Sequence, residues 1–370
     1  MKALCKLSPK ANDVGLIDIP MPEMRSNEVL VRAPGCGICV GDLDDAWRRE
    51  FSSPEDAELK YPWVLGNECY GVVEEVGDNV TRWKVGDRVI SEHRIGCGEC
   101  MYCRTGQDNL CPGALRYGRS GFRTGGTMAE YFATPSTHVH KIPDNVSGLA
   151  ASLTEKLAVA CEGIIVQGGG IRPGDTAVVI GPGPVGQCAS QILQLSGALN
   201  VIVIGLSKDT YRLELAEKLG ATRSINVEQD DPLKAVSDLT EGRMADFVLL
   251  TVSPVSAAAE KQAISLARSG GHLAIIGVDA GQERPGPGLG AAAFREITVT
   301  GCNAHTWKAY DYAMKIFATG KGRFEQIITV KLPYEQWEKG LLMQETREAP
   351  FVQGFLYWEH MDWEMPAPNP

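Results

Sequence analysis

Short apolar segments, such as residues 28–32 and 70–76, fill the first 150 residues or so and are separated by Gly, Pro, Asp and Asn. This pattern predicts a β-rich region, barrel-like or partly open. From residue 176 the period changes, and apolar strands such as 176–180 alternate with helical runs such as 187–195. Such alternation predicts a doubly wound parallel sheet with helices on both faces. We therefore expect an α/β protein with a second, β-rich domain.

Length, charge and hydropathy indicate the number of domains and the kinds of partner that this chain can have. A chain of 370 residues fits two domains. Its net charge of −10 argues against nucleic acid and anionic membrane surfaces as partners. No apolar run reaches the ~20 residues needed to span a bilayer, and the N-terminus lacks the pattern of a signal peptide. We expect a cytoplasmic protein.

A glycine-rich turn joins the strand at 176–180 to the following helix. It has the form G-x-G-x-x-G, and in this position it predicts a dinucleotide site. The first glycine permits the tight turn, the second lets the backbone approach a pyrophosphate, and the helix N-terminus faces that anion. The predicted cofactor-binding residues are Gly181, Gly183, Pro184, Val185 and Gly186, with Thr251, Gly277 and Val278 after two later strands.

The choice between NAD and NADP depends on the end of the second strand. An NAD site expects an acidic residue there, which bonds the ribose 2′-hydroxyl, but this chain has Gly205. Ser207, Lys208 and Arg212 could hold a 2′-phosphate instead, which favours NADP. Alternatively, Ser207 or Asp209 caps the next helix and Lys208 is simply solvated.

Four cysteines lie within fifteen residues, in the spacing C-x2-C-x2-C-x7-C. Four thiolates close a tetrahedral site with no open position, so this pattern predicts a structural zinc. An iron–sulfur cluster also uses four thiolates, but its bacterial ferredoxin form ends in a three-residue gap to Cys-Pro. The predicted ligands are Cys97, Cys100, Cys103 and Cys111.

Together these motifs resemble the zinc-containing medium-chain dehydrogenase/reductase (alcohol dehydrogenase) superfamily, and most closely its polyol, threonine and sugar dehydrogenase branch. The likeness extends over nearly the whole chain and includes 65–68, 85–88 and 125–132. It implies a GroES-like catalytic domain at 1–155 and 300–370, and a nicotinamide-binding Rossmann domain at 156–299. It also implies a small-molecule substrate and a homodimer or homotetramer.

The resemblance also implies a second, catalytic zinc, which would polarise the substrate oxygen. Cys39 falls on the first ligand, and Glu68 on the glutamate after the second. Glu155 matches a glutamate that this branch uses at or near the metal. Asp42 matches the carboxylate that orients the ligands.

Three positions depart from the family pattern. The family's second ligand, a histidine, is Asn67 here, and an amide oxygen is a far poorer zinc ligand than an imidazole nitrogen. The expected proton-relay hydroxyl is replaced by Gly41, and the relay histidine by Asp44. A weak or absent catalytic zinc is therefore an open alternative. Proton release would then use a water chain, Asp44 or Glu155.

Two histidines near the predicted reaction centre receive separate interpretations. His93 follows a strand and could supply a ligand or a proton, although a structural histidine is the favoured interpretation. His305 could line the substrate pocket.

The leading hypothesis is a metal-assisted dehydrogenase or ketone reductase acting on a secondary alcohol of a polyol, sugar or related metabolite. The alternatives are a zinc-independent reductase of a conjugated C=C or carbonyl group, and a nicotinamide-binding protein without turnover.

Overall fold

The computed structural model describes residues 1–43, 60–113, 125–277 and 289–366. Contacts divide the chain into two compact units. The first unit combines Met1–Glu155 with Ile328–Pro370, and the second is Lys156–Ile327. Within the described ranges, no helix is long and apolar enough to cross a membrane.

The first unit is built mainly of antiparallel strands. A seven-stranded sheet has the order β15-β16-β3-β5-β6-β8, with β7 also paired to β3, and a small sheet has the order β2-β1-β4. Its strands are β1 Lys2–Lys6, β2 Val14–Asp18, β3 Glu28–Gly37, β4 Trp63–Val64, β5 Cys69–Val76, β6 Arg88–Ser91, β7 Tyr131–Pro135, β8 Val139–Lys141, β15 Ile328–Pro333 and β16 Gln353–Tyr357.

The core of this unit lies on the larger sheet. Nearly all of β3 is buried, with Val29, Val31 and Ala33 fully so, and this strand is therefore covered on both faces. Tyr334 stacks on Trp358, with ring centroids 3.8 Å apart. The helices here are short: α1 Val40–Leu43, α2 Met101–Arg104, α3 Gly148–Ala151, α4 Thr154–Cys161, which crosses into the second unit, and α11 Trp337–Thr346.

The second unit holds a parallel sheet of six strands among the described residues, in the order β11-β10-β9-β12-β13-β14. This order runs outward in both directions from β9, as in doubly wound dinucleotide-binding folds. Every residue of the central strand β9 is buried. The strands are β9 Thr176–Ile180, β10 Asn200–Gly205, β11 Arg223–Asn226, β12 Ala245–Leu250, β13 Ala267–Ile275 and β14 Thr298–Gly301.

Helices alternate with these strands, which confirms the predicted α/β architecture. Helix α5 begins with Pro184 in its first turn, where the missing N–H costs nothing. A π-helical segment, Glu162–Val166, continues α4. The helices of the second unit are α5 Pro184–Leu195, α6 Thr210–Lys218, α7 Pro232–Leu239, α8 Ala257–Leu266, α9 Leu289–Phe294 and α10 Trp307–Ala318.

The segment 300–327 groups by its contacts with the second unit, whereas the resemblance places all of it in the catalytic domain. Strand β14 pairs in parallel with β13, and α10 packs against the segment Glu162–Val166. The buried carboxylate of Glu162 accepts hydrogen bonds from the Thr306 backbone at 3.0 Å and from its hydroxyl at 2.8 Å. These pairings tie the segment to the second unit.

Candidate active site

Several predicted site residues follow or precede strands at one edge of the larger sheet. Strands β3 and β5 run antiparallel with Cys36 opposite Cys69, and β5 and β6 run antiparallel with Tyr70 opposite Ile90. The end of β3, the start of β5 and the end of β6 therefore meet at the same edge. The residues at this edge, called the catalytic edge below, are Cys39, Asn67, Glu68 and His93.

Asp42 fixes two parts of the catalytic edge to each other. Its carboxylate is buried and accepts the backbone N–H of Cys39 at 2.9 Å and that of Gly66 at 2.9 Å. Gly66 has a φ of +96°, and a Cβ atom there would lie 2.5 Å from Met128 Cγ. The glycine permits the turn, and Asp42 holds that turn beside Cys39. These two hydrogen bonds are compatible with the orienting role that the resemblance implies for Asp42.

Glu68 and Asn67 occupy the turn that Asp42 holds. The Glu68 carboxylate is buried and accepts a hydrogen bond from Gln353 Nε2 at 3.0 Å. A Cβ atom at Gly37 would lie 2.5 Å from this carboxylate, so the glycine makes room for it. The Oδ1 atom of Asn67 is buried and has no hydrogen-bond partner among the described residues. An unpaired buried oxygen costs free energy unless a ligand or ion pairs with it.

His93 and Glu155 come together in the first unit. Potential ligand atoms on the two side chains lie within 4.8 Å of one another, and both side chains are buried. Within the described part of the chain, the ligand atoms of Cys39, Glu68 and Glu155 are not gathered into one such group. The structure thus brings a histidine to Glu155 that the sequence analysis named but preferred to interpret as structural. Its position directly after β6 was the available signal.

The four cysteines of the predicted structural zinc site form a compact group, with their sulfur atoms within 4.8 Å of one another. Backbone N–H groups point at the sulfurs: Cys100 donates to Cys97 at 3.4 Å, and Cys97 donates to Cys111 at 3.3 Å. A Cβ atom at Gly96 would lie 2.6 Å from Cys103 Sγ, so this glycine lets the chain pass close to the thiols. A closed set of four thiols fits zinc.

The glycine turn after β9 has the shape that a pyrophosphate needs. Gly181 has a φ of +113°, and a Cβ atom at Gly186 would lie 1.9 Å from the Gly181 carbonyl oxygen. Gly183 caps α5, and a Cβ atom there would meet no described atom within 4 Å. The Thr251 hydroxyl, within 3.0 Å of the carbonyl oxygens of Ile180 and Gly181, donates to this turn. The close approach at Gly186 and the open space at Gly183 match the roles of these two glycines.

The other predicted residues that the structure describes lie in the second unit. At Gly277 a Cβ atom would lie 1.9 Å from the Val252 carbonyl oxygen, so only glycine fits. Arg212 is buried beside Asp209, whereas Lys208 is exposed. His305 is buried in the second unit, with its ring centroid 4.6 Å from that of Tyr310. Two predicted residues, Asp44 and Val278, lie outside the described residues.

Two families match this chain. The alcohol dehydrogenase GroES-like domain matches residues 25–144, and the zinc-binding dehydrogenase family matches residues 184–319. The L-threonine 3-dehydrogenase of Bacillus subtilis (strain 168) is 33% identical over 360 residues, covering 94% of this chain and 96% of the relative. The chain belongs to the zinc-containing medium-chain alcohol dehydrogenase superfamily.

Other members of the superfamily show the same extent of likeness. The D-arabitol-phosphate dehydrogenase of Enterococcus avium is 34% identical over 340 residues, covering 92% of this chain and 93% of the relative. The structure of the alcohol dehydrogenase TADH from Thermus sp. ATN1 matches with a TM-score of 0.82 and 30% identity, covering 97% of this chain and 100% of that one.

Membership in this superfamily confirms the predicted enzyme class. The chain is an NAD(P)-dependent oxidoreductase acting on CH–OH groups. The superfamily also supports a nicotinamide cofactor. Asn67 stands at the position of the superfamily's histidine, and His93 is the histidine that lies at the catalytic edge.

Proposed function

We propose that this dehydrogenase oxidises a secondary alcohol of a polyol, sugar or related small metabolite, and reduces the corresponding ketone in reverse. The observation that carries the proposal is the meeting of His93 and Glu155, buried and within 4.8 Å, beside the catalytic edge. Support for the substrate class comes from the relatives, one named for threonine and another for arabitol phosphate. Both names denote compounds with a secondary hydroxyl group.

The reaction removes a proton from the alcohol oxygen and a hydride from its carbon. Proton removal is the part that this chain's own side chains perform. Two basic groups of the site can accept this proton, the imidazole of His93 and the carboxylate of Glu155. Their potential ligand atoms lie within 4.8 Å of one another. Burial of both keeps bulk water from competing for the substrate oxygen. We assign the proton transfer to Glu155, in place of the relay hydroxyl that Gly41 lacks.

Side chains at and beside the catalytic edge also offer ligand atoms that fit a zinc ion. A thiol, an imidazole and a carboxylate are the ligand types that zinc selects, and the buried unpaired Oδ1 of Asn67 offers a fourth. Bound there, zinc would polarise the substrate oxygen and lower the pKa of the alcohol. We propose that Cys39 and His93 hold it, with Asn67 Oδ1 as a further ligand, while Glu155 accepts the proton. Glu68, hydrogen-bonded to Gln353, supports the turn or completes the set.

The cysteine lobe is the second metal site of the proposal. Cys97, Cys100, Cys103 and Cys111 would hold a structural zinc that folds the segment around α2. The cofactor site comprises the glycine turn after β9 together with Thr251 and Gly277, and it accepts NAD or NADP. The oligomer expected from the superfamily, a homodimer or homotetramer, belongs to the proposal and is measured by light scattering of the purified chain.

A metal-free reductase is the second candidate, because two positions of the catalytic edge favour it. Asn67 stands where the superfamily has its histidine ligand, and Gly41 has no hydroxyl to relay a proton. In that case His93 and Glu155 would deliver a proton to the reduced substrate, and the catalytic edge would only position it. The two candidates differ in substrate, since only the first needs a polarised alcohol.

A substrate panel with matched variants tests the proposal. Secondary alcohols, ketones and enones are assayed with wild type, Glu155→Gln and Glu92→Gln. Glu92 is the matched control, since it is also buried beside a histidine, with its Oε1 2.6 Å from His140 Nε2. We expect oxidation of secondary alcohols, a fall in kcat of about 10²–10⁴-fold in Glu155→Gln, and a near-normal kcat in Glu92→Gln. Turnover of enones alone, or equal losses in both variants, would contradict the proposal.

A further inference from the structure

The second strand of the nucleotide-binding sheet, β10, ends without a carboxylate. Its last residue is Gly205, where a Cβ atom would lie 2.9 Å from Pro182 Cγ. A side chain at this position would press into the turn that follows β9. In dinucleotide-binding folds the adenosine ribose lies at this strand end. The group that recognises the ribose must therefore come from another element.

The neighbouring strand, β11, supplies a carboxylate at the same end of the sheet. Gly205 and Asn226 are partners in the parallel pairing of β10 and β11. Shortly after Asn226, Glu228 turns back, and its Oε2 accepts the backbone N–H of Ser207 at 2.7 Å. Asn226 holds both residues, because its Nδ2 donates to Ser207 Oγ at 3.0 Å and its Oδ1 accepts the Glu228 N–H at 3.1 Å.

The charge of Glu228 is preserved by these contacts. Hydrogen bonds from the hydroxyl and the backbone N–H of Ser207, aided by the charge of Lys208, lower the pKa of the Glu228 carboxyl below its usual value. The carboxylate is thus ionised at neutral pH. It places a negative charge beside the residue that the sequence analysis assigned to a 2′-phosphate.

The predicted phosphate-binding cations do not all face this position. Arg212 is buried, with its Nη1 3.9 Å from Asp209 Oδ1. Lys208 is exposed, and its positive charge interacts with the carboxylate of Glu228. Ser207 uses its N–H on Glu228 instead of offering it to an anion. A 2′-phosphate would therefore meet a carboxylate, a partly compensated lysine and an occupied backbone donor.

We propose that Glu228 accepts the adenosine ribose hydroxyl and repels a 2′-phosphate, so that this enzyme uses NAD in preference to NADP. The inference rests on the proposed cofactor site after β9. A carboxylate accepts hydrogen bonds from hydroxyl groups, and close like charges disfavour the phosphorylated cofactor. The residues that follow β10, taken alone, favour NADP. Glu228 reaches that place through strand pairing, which spacing along the chain does not reveal.

Direct binding of cofactor fragments tests this inference without turnover. Calorimetry on the full chain compares ADP-ribose with 2′-phospho-ADP-ribose in wild type, Glu228→Gln and Glu217→Gln. Glu217 is the matched control, since its carboxylate accepts the N–H and hydroxyl of Ser224, both at 2.8 Å. We expect wild type and Glu217→Gln to prefer ADP-ribose by at least about tenfold, and Glu228→Gln to lose most of that preference.

The other possible binding results distinguish an error about Glu228 from an error about the cofactor site or the dehydrogenase function. Equal or tighter binding of 2′-phospho-ADP-ribose by wild type would overturn the inference and leave the dehydrogenase function standing. An unchanged preference in Glu228→Gln would remove Glu228 from the choice of cofactor. Failure of both fragments to bind a folded wild-type chain would overturn the cofactor site itself. The wild-type preference should also shrink as salt rises, because Glu228 is exposed and its charge is screened.

Discussion

The carboxylate of Asp42 accepts the backbone N–H of Gly66 at 2.9 Å, and this bond joins the segment after β3 to the turn before β5. The same carboxylate accepts the N–H of Cys39. One buried side chain therefore sets the distance between the thiol and the turn that carries Asn67 and Glu68.

Replacing Asp42 by Asn should damage both stability and catalysis. The amide has one acceptor oxygen for two N–H donors, so one buried donor faces another. Hydrogen bonds to a charged group contribute about 1.5–3 kcal/mol each, and we expect the free energy of unfolding to fall by about 2 kcal/mol. Urea unfolding measures that loss, and kcat should fall as Cys39 shifts. A variant with wild-type stability and kcat would contradict the orienting role of Asp42.

The cysteine lobe should lose its metal when one ligand is removed. In Cys100→Ser we expect the zinc content to fall by one per chain, and the melting temperature to fall with it, because the metal's binding energy is part of the folding energy. Elemental analysis and thermal unfolding measure the two effects. Cys5→Ser is the control, since Cys5 is buried in β1 and belongs to no metal-binding group in the described residues. Equal zinc in both variants would contradict the structural site.

A hydroxyl at position 41 should restore part of the superfamily's proton relay. A Cβ atom at Gly41 would meet Cys39 Sγ at 3.8 Å, which is an ordinary contact, so Gly41→Ser fits without strain. We expect Gly41→Ser to raise kcat above that of Gly41→Ala, because its hydroxyl offers the substrate's proton a second route out of the site. Gly41→Ala controls for the stabilisation that any side chain gives a helical glycine. Equal kcat in the two variants would show that the relay is not limiting.

Buried thiols should resist alkylation in the native enzyme. Burial raises the pKa of Cys5, Cys69 and Cys302 to about 12. Because a raised thiol pKa keeps the unreactive neutral form up to higher pH, almost no thiolate exists at these positions near pH 8. Cys39 is half-buried and should become the first thiol outside the lobe to react once the catalytic zinc that it would hold is removed. Mass spectrometry after brief iodoacetamide treatment gives the order. Early labelling of Cys5 or Cys69 would contradict the packing described.

The sequence predicts those features that depend on residues close together in the chain. Strand β9, the glycine turn and α5 follow one another directly, so their pattern predicts the dinucleotide fold. The pairing of His93 with Glu155 joins a strand end to a helix start more than 60 residues later, and no local pattern encodes it. Glu228 beside Ser207 is a similar case, since parallel pairing of β10 and β11 creates the contact.

The number of zinc ions per chain in wild type and in Cys39→Ala shows whether the catalytic edge binds zinc despite Asn67. We expect two zinc ions per wild-type chain and one in Cys39→Ala, with the fold and the lobe zinc retained. One zinc in both proteins would contradict a zinc site at the catalytic edge. The metal-free reductase, with His93 and Glu155 as its proton donors, would then replace it.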